Sequence, residues 1–264
     1  MTELFSANKS LGQHWLYDTS VLADIVQSAN VSPEDTVLEI GSGLGTLTAV
    51  LCDQAQQVIA VEFDEQLAKD LPRRVTAANL RVVSQDILKF DFTQLPVGYK
   101  IVANIPYYLT SNLIRVISET SNPPSVAVLL VQKEVAERVA SQPGSLSILG
   151  VTAQFYWQVS LGRVVAAQLF TPPPKIDSQV LILQLRSTPL FSDVDANIFF
   201  HLVKAGFSQR RKTLLNSLSG GLQLSRETVQ MRCEIAGIDS ARRAQSLSLD
   251  DWHALYKVWA TQSA

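Results

Sequence analysis

Two local signals meet in the segment Thr36-Val37-Leu38-Glu39-Ile40-Gly41-Ser42-Gly43-Leu44-Gly45. Its first half is rich in β-forming residues, its second half is a glycine turn, and a helix-compatible segment, Thr46 to Cys52, follows. A strand, a glycine turn and a helix in this order form the first unit of a Rossmann-like sheet. Because glycine allows positive φ and a close approach to the backbone, the sequence predicts an α/β fold with a ligand site at this turn.

The spacing of the glycines narrows the class of ligand. A G-x-G-x-x-G dinucleotide motif would need a glycine where this chain has Thr46. This departure weakens an assignment to a nicotinamide cofactor and favours a cofactor without a pyrophosphate. S-adenosylmethionine (SAM) is such a cofactor, and we therefore place Gly41 and Gly43 in a SAM site.

Two carboxylates extend the pattern. Glu62 ends a predicted strand, Gln57 to Glu62, and Asp86 follows the next one, Leu80 to Ser84. A carboxylate in the place of Glu62 commonly binds ribose, because it accepts hydrogen bonds from two adjacent hydroxyls, and Asp86 can accept from the amino group of an adenine. An isolated acid at a strand end is more often simply solvated, so this prediction depends on the order of the motifs.

A fourth strand, predicted over residues 99–103, ends in Asn104-Ile105-Pro106-Tyr107. The side-chain oxygen of Asn104 and the carbonyl of Ile105 can both accept hydrogen bonds from an exocyclic amine. Pro106 fixes the backbone direction, and Tyr107 offers a flat face on which a purine can stack. Alone, the tetrapeptide is equally consistent with a plain strand end at which Asn104 caps a helix. After the glycine turn and two acids, it indicates chemistry on an amino group of a flat ring.

The next strands complete the predicted sheet. They are expected over Ser125 to Val131, Ala153 to Val165 and Gln179 to Leu185, the last two as an antiparallel edge. Three successive prolines, Pro172 to Pro174, exclude a helix interior or a central strand. They predict a rigid loop that can hold the aromatic ring of Phe170 at a fixed place.

The end of the chain has a different pattern. A boundary predicted near residue 187 separates a sheet domain, 1–187, from a small helical domain, 188–264. Helices of this second domain are expected over Ala196 to Ala205, Lys212 to Ser219, Ser225 to Ala236 and Leu249 to Trp259. The densest positive segment of the helical domain contains Arg210, Arg211 and Lys212. These cations are predicted to bind phosphates. The alternative is that they are exposed basic side chains at a helix N-terminus with no ligand.

Charge and composition limit the possible functions. The net charge of −2 argues against a generally basic nucleic-acid binder, but residues 1–185 carry 12 Lys/Arg and 17 Asp/Glu, whereas residues 186–264 carry 10 and 7. The longest apolar run, Val126 to Val131, is too short to cross a bilayer, and the polar N-terminus predicts a cytoplasmic protein. Two cysteines in different predicted domains and three scattered histidines favour reduced thiols and predict no metal site.

Taken together, the motifs resemble those of the small-subunit ribosomal RNA adenine N6,N6-dimethyltransferases (KsgA type), from about Lys9 to Trp259. The segments that carry the resemblance are Lys9-Ser10-Leu11-Gly12-Gln13-His14-Trp15-Leu16, Glu39-Ile40-Gly41-Ser42-Gly43, Asn104-Ile105-Pro106-Tyr107, Gln132-Lys133-Glu134-Val135, Phe170-Thr171-Pro172-Pro173-Pro174-Lys175-Ile176-Asp177-Ser178 and Phe207-Ser208-Gln209-Arg210-Arg211-Lys212-Thr213. The glycine turn and the Asn-Pro-Tyr motif alone mark only a SAM-dependent amino-methyltransferase. The last two segments make the resemblance more specific.

The resemblance implies a Rossmann-like SAM-dependent methyltransferase domain followed by a helical RNA-recognition domain. It implies a SAM site made by His14, Leu16, Gly41, Glu62, Asp86 and Asn104, and a target adenine sandwiched between Tyr107 and Phe170. The implied product is N6,N6-dimethyladenosine at two neighbouring adenosines near the 3′ end of small-subunit rRNA. The implied partner is the pre-ribosomal small subunit, and the enzyme is expected to be a monomer.

Two departures and two alternatives remain. Trp15 stands where the family usually has Phe, and Ser145 replaces an Arg that often precedes the Leu-Ser pair. One alternative is a large-subunit rRNA adenine methyltransferase of the macrolide-resistance type, which shares the catalytic motifs. The other is an RNA-binding assembly or transcription factor that has lost catalysis. The proline-rich and basic segments favour the small-subunit family, and the intact Asn104 to Tyr107 motif argues against lost catalysis.

Overall fold

The structure, a computed structural model, describes residues 12–261, so Lys9, Ser10, Leu11 and the polar N-terminus lie outside the described residues. In that range the strands are β1 (Trp15–Leu16), β2 (Thr36–Ile40), β3 (Gln57–Glu62), β4 (Leu80–Ser84), β5 (Lys100–Asn104), β6 (Val126–Gln132), β7 (Trp157–Val165), β8 (Phe170–Thr171) and β9 (Ser178–Leu185). The α-helices are α1 (Thr19–Ser28), α2 (Thr46–Cys52), α3 (Glu65–Arg74), α4 (Thr110–Glu119), α5 (Lys133–Val139), α6 (Ile148–Tyr156), α7 (Ala196–Phe207), α8 (Leu214–Leu222), α9 (Arg226–Ile235) and α10 (Leu249–Ala260).

Seven strands form one sheet in the order β4-β3-β2-β5-β6-β9-β7. The first five run parallel to their neighbours, and β9 runs antiparallel to β6. The predicted mostly parallel sheet with an antiparallel edge is therefore confirmed. The strand order reverses between β2 and β5, and in open α/β sheets ligands bind at such a switch point, beyond the carboxyl ends of the strands.

The strands around this switch point follow from their sequences. All five residues of β2 are buried, as expected for a parallel strand with both faces covered. The bounds of β2, β3 and β4 agree with the prediction, and β5 begins and ends one residue later than predicted. A separate two-stranded pair joins β1 to β8, with Trp15 opposite Thr171 and Leu16 opposite Phe170. Sequence patterns did not predict this pairing.

One predicted strand is wrong in its first part. Residues 153–156, predicted as the start of a strand, form the last turn of α6, and β7 begins only at Trp157. The side chain of Ser147 accepts a hydrogen bond from the amide of Gly150 and caps this helix. Val151 and Phe155 on α6 are fully buried among helical residues. This packing outweighs the β propensity of the aromatic stretch.

The chain divides into two compact units, one comprising residues up to Glu137 and Gln158–Leu185, the other comprising Arg138–Trp157 and the chain from Arg186 onward. The predicted boundary at residue 187 lies close to the last of these divisions. Residues 138–157, however, were predicted in the sheet domain and belong to the helical unit. The reason is the burial of Val151 and Phe155 against Phe199 and its neighbours.

The helical unit contains the four predicted helices with slightly different bounds. One difference concerns the predicted phosphate-binding residues: α8 begins at Leu214 rather than at Lys212. Arg210, Arg211 and Lys212 therefore lie in the exposed turn before the helix. Cys52 and Cys233 are free thiols, and no helix within residues 12–261 has the length and apolar composition needed to cross a bilayer.

Candidate active site

The carboxyl ends of β2, β3 and β5 border two adjoining pockets. Gly41, Glu62 and Pro106 line both pockets, so we treat them as one cleft. The cleft lies at the switch point of the sheet, where open α/β folds bind their ligands. The glycine turn predicted to bind a ligand lines this cleft, which is therefore the candidate cofactor site.

The glycine turn is held from two sides. The amide of Gly43 donates a hydrogen bond to Oε2 of Glu62 at 2.8 Å. On the other side lies the ring of Trp15, whose Cζ3 would be only 2.6 Å from a Cβ added at Gly43. The hydroxyl of Thr46 also donates to the carbonyl of Leu16 at 2.9 Å, which ties β1 to the start of α2. A glycine at position 43 therefore lets β1 cover the turn.

This close contact leads to a first prediction. We expect Gly43→Ala to weaken SAM binding by at least about tenfold, because the methyl group displaces Trp15 and strains a residue at φ 55°. Gly98→Ala is the matched control, since Gly98 also has positive φ (85°) but no atom of the described residues lies within 4 Å of the added Cβ. Calorimetric titration of SAM into both variants makes the comparison. Equal affinities would show that the contact of Trp15 with the turn does not shape the cofactor site.

Both predicted acids line the cleft. Glu62 is only 6% exposed, and its Oε1 accepts from the amide of Asp64 at 3.0 Å. Burial raises the pKa of the Glu62 carboxyl, and hydrogen bonds from the amides of Asp64 and Gly43 oppose this shift. Asp86 is half-buried, and its Oδ1 accepts from the amide of Leu88 at 3.0 Å. Both carboxylates are therefore oriented by backbone amides at the edge of the cleft.

A third acid, Glu39, was not singled out by sequence reasoning. It is 1% exposed on β2, lines the first pocket, and its Oε2 has no hydrogen-bond partner among the described residues. Burial raises the pKa of this carboxyl to about 8. The hydroxyl of Thr48, which faces the carboxyl without forming a hydrogen bond, opposes this shift, and the neighbouring Glu62 increases it. The hydroxyl of Ser42 and the indole N–H of Trp15, in the lining of this pocket, are also buried and have no hydrogen-bond partner within residues 12–261. A polar ligand can satisfy such groups.

The residues after β5 meet two segments that are distant in sequence. Nδ2 of Asn104 donates to the carbonyl of His14 at 3.4 Å, which leaves its Oδ1 to accept a hydrogen bond. The hydroxyl of Tyr107 bonds to Oγ of Ser178 at 2.8 Å, and its ring stacks on that of His14 with centroids 5.8 Å apart. A ring nitrogen of His14 lies 2.7 Å from the carbonyl of Pro172. These contacts fix the orientations of the Asn104 amide and of the Tyr107 ring.

The glycine turn and the Asn104 motif are in contact. A Cβ added at Gly41 would lie 3.8 Å from both the carbonyl oxygen of Asn104 and Cδ of Pro106. This proximity follows from the pairing of β2 with β5. A methyl donor held at the turn and an amine held at Asn104 would therefore be neighbours.

Phe170 differs from expectation. The sequence placed its ring against the target base, but in this structure the residue is 3% exposed and packs in a core cluster with Leu16 and Val165. It is absent from the lining of the cleft. Its backbone nevertheless pairs with Leu16 on the cofactor side, so the ring lies behind the segment that borders the cleft.

In the structure, the segment that follows the predicted phosphate-binding residues 210–212 is hydrogen-bonded to the segment around Arg242. The amide of Leu214, next to the exposed turn 210–212, donates to the carbonyl of Arg242 at 2.8 Å. The Arg242 guanidinium is paired with Asp251 at 3.0 Å, whereas Arg243 is exposed. Two helices, α8 and α9, separate Arg243 from Lys212 in the chain, so the order of the sequence did not indicate that the two segments lie close together.

Comparison with known proteins identifies the family. The family model described as "Ribosomal RNA adenine dimethylase" matches residues 4–261. The chain belongs to this family. Among curated relatives, "Ribosomal RNA small subunit methyltransferase A" of Dehalococcoides mccartyi (strain 195) is 41% identical over 96% of this chain and 88% of the relative. The protein of the same name from Alkaliphilus metalliredigens is 39% identical over 98% of this chain and 93% of the relative.

Solved structures agree with this membership. A dimethyladenosine transferase from Plasmodium falciparum has a TM-score of 0.79, with 26% identity over 95% of this chain and 98% of that one. The 23S rRNA methyltransferase ErmE has a TM-score of 0.73, with 27% identity over 92% and 98%. As a ribosomal RNA adenine dimethylase, the protein is an enzyme that dimethylates adenine in rRNA, with SAM as the methyl donor. The unpartnered polar groups and the oriented acids of the cleft fit such a cofactor.

Proposed function

We propose that this dimethylase acts on N6 of two adjacent adenosines near the 3′ end of small-subunit rRNA, within the pre-ribosomal small subunit. The observation that carries the proposal is the contact of the Asn104 motif with the glycine turn in one cleft. The choice of subunit is supported by relatives at 39–42% identity named for the small subunit, against 27% for ErmE. We also propose that the enzyme works as a monomer in the cytoplasm.

The cofactor would lie across the carboxyl ends of β2, β3 and β4. Glu62 would accept from the ribose hydroxyls, and Asp86 would accept from the adenine amino group through Oδ2, since Oδ1 already caps a turn. The remaining contacts would come from His14, Leu16, Gly41, Gly43 and Asn104. When bound, SAM supplies a methyl group already activated by the sulfonium. The residues of the cleft therefore need only to hold and align it.

The chemical difficulty lies with the nucleophile, because the N6 lone pair of adenine is delocalised into the ring. Oδ1 of Asn104 and the carbonyl of Ile105 would accept from the two N6 hydrogens and favour a tetrahedral amine with a localised lone pair. As the new N6–C bond forms and the S–C bond breaks, positive charge develops on N6 beside these two acceptors. The product ammonium then loses a proton to solvent, so the cleft needs no strong general base.

The target base must leave its stack to reach the cleft, and Tyr107 would receive it. Its ring is fixed by the hydroxyl bond to Ser178 and by stacking on His14. Burial raises the pKa of the phenol, so the ring stays neutral at physiological pH. Stacking on an aromatic ring contributes about 1–3 kcal/mol per base, which offsets much of the cost of flipping.

We propose that Phe170 forms the second face of this base site once its ring turns out of the core. Phe170→Leu tests this, because leucine keeps an apolar side chain for the core and removes the aromatic face. We expect the activation free energy of methyl transfer to rise by about 1–3 kcal/mol, which lowers the rate roughly 5–150-fold, with a small change in thermal stability. Single-turnover transfer and thermal melts measure the two effects. An unchanged transfer rate would assign Phe170 to packing alone.

Transfer of labelled methyl groups from SAM to ribosomal subunits that lack the modification tests the proposed function. We expect incorporation into small subunits and none into large subunits under the same conditions. Incorporation into large subunits alone would favour the macrolide-resistance type of activity. Absence of transfer to either, with intact binding to small subunits, would favour a non-catalytic assembly factor.

A further inference from the structure

Glu39 is an ionisable residue in a strand whose other members are suited to the core. Its side chain is 1% exposed, it borders the pocket beside the glycine turn, and Oε2 has no partner among residues 12–261. A buried acceptor without a partner costs free energy unless a proton or a ligand satisfies it. The cofactor contacts proposed above do not use Glu39, so its presence needs a separate explanation.

Among residues 12–261, the groups that shift the ionisation of Glu39 provide no positive charge. From β3 comes the carboxylate of Glu62, which disfavours ionisation of Glu39. From α2 come the hydroxyl of Thr48 and the thiol of Cys52, whose pKa is raised to about 11 and which is therefore neutral. His14 and Tyr107 line the same pocket from the segments before β1 and after β5. In the described part of the chain, the ion pairs formed by Lys and Arg do not include Glu39.

The free protein therefore keeps Glu39 protonated at neutral pH, in agreement with a carboxyl pKa of about 8. The two forms of the cofactor differ in charge. SAM carries a sulfonium and an ammonium against one carboxylate, whereas S-adenosylhomocysteine, the product, lacks the sulfonium and has no net charge. In a water-poor pocket, a cation favours ionisation of a neighbouring carboxyl, and removal of that cation reverses the effect.

We propose that Glu39 is a charge-sensing residue of the cofactor site: its carboxyl releases a proton to solvent when the cationic methyl donor binds, and takes up a proton from solvent after transfer has removed the sulfonium charge. This proposal rests on the SAM-dependent function and deepens it. It gives the pocket a means of preferring donor over product, because the ionised carboxylate attracts the donor, which has a net positive charge, more strongly than the product, which has none.

The sign of the pH dependence follows from linkage. Below pH 8 the free protein must lose a proton in order to bind SAM with Glu39 ionised, so SAM affinity rises with pH, by up to about tenfold per unit. The rise ends above the pKa of about 8, where Glu39 is already ionised in the free protein. The affinity for S-adenosylhomocysteine lacks this dependence. The ratio of the two affinities therefore increases between pH 6 and pH 8.

Calorimetric titration of the full chain at pH 7, in two buffers with different ionisation enthalpies, counts the protons directly. We expect release of nearly one proton for each SAM bound and close to none for S-adenosylhomocysteine. Equal proton counts for the two ligands would overturn the proposal, and this comparison needs no variant. A wild-type protein that methylates rRNA without this difference would lose only the charge-sensing role and keep its proposed function.

Two variants assign the proton to a residue. Glu39→Gln keeps the shape of the protonated carboxyl, and we expect it to bind SAM with no proton release and with a flat pH profile from 6 to 8. Thr48→Val is the matched control, because it removes the hydroxyl that faces Glu39 and leaves the ionisable group; proton release should persist. Undiminished release in Glu39→Gln would place the titrating group elsewhere in the pocket and contradict the proposal.

Discussion

Replacing Asn104 with alanine is expected to lower the rate of methyl transfer by roughly 10²–10³-fold, or about 3–4 kcal/mol, the usual effect of losing one preorganised partner of the reacting group. The physical reason is that Oδ1 of Asn104 is one of two acceptors that localise the N6 lone pair. Its amide nitrogen already donates to the carbonyl of His14, which fixes the direction of the oxygen. Single-turnover transfer to small subunits measures the chemical step directly.

Asn104→Asp provides the contrast for this prediction. Aspartate keeps an oxygen acceptor and loses the amide that donates to His14, so it should retain more transfer than alanine. The affinity for SAM, measured by calorimetry, should fall only modestly in both variants. Transfer at near the wild-type rate in Asn104→Ala would exclude the lone-pair mechanism, and equal losses in the two variants would point to the contact with His14 instead.

The second large effect is expected from replacing Arg210, Arg211 and Lys212 together with alanine. These exposed cations lie in the turn before α8, whose N-terminus adds to their attraction for phosphate. The slope of log affinity for the small subunit against log salt concentration should become shallower by about 2–3 when up to three phosphate contacts are lost, since each contact contributes roughly 0.7–0.9 to this slope. Relative to 1 M salt, a change in slope of this size corresponds to an affinity loss of about 10²-fold at 0.1 M salt.

A charge-matched triple variant separates contact from net charge. Replacing Lys204, Arg226 and Lys257 with alanine removes the same number of exposed cations from the same helical unit. We expect this control to change the salt slope little and both variants to bind SAM as the wild type does. If the two triple variants lost the same slope, the segment 210–212 would contribute only general charge, and the RNA-binding surface would lie elsewhere.

The parts of the fold that were predictable are those with strong local signals. Strands β2 and β3 have the predicted bounds, because β-rich apolar runs end there at a glycine and at an acid. The carboxyl ends of parallel strands share one edge of a sheet, so the order of the motifs was sufficient to bring Gly41, Glu62 and Asn104 into one cleft. Here local pattern and tertiary structure agree.

The parts that were not predictable depend on contacts between distant residues. Helix α6 overlaps an aromatic stretch with high β propensity, and only the burial of Phe155 against Phe199 makes it helical. The burial of Phe170 follows from the pairing of β8 with β1, two strands too short to recognise. Glu39 looked like an ordinary member of a strand, because only the packed structure shows that its Oε2 is buried with no partner among the described residues.

Mass spectrometry of nucleosides and of nuclease fragments from the small-subunit rRNA, after incubation with the protein and SAM, identifies both the product and its position. We expect N6,N6-dimethyladenosine at two adjacent adenosines in the 3′-terminal fragment, formed by the wild type and strongly reduced in Asn104→Ala at the same incubation time. Dimethyladenosine absent from that fragment, or formed equally well by Asn104→Ala, would contradict this expectation.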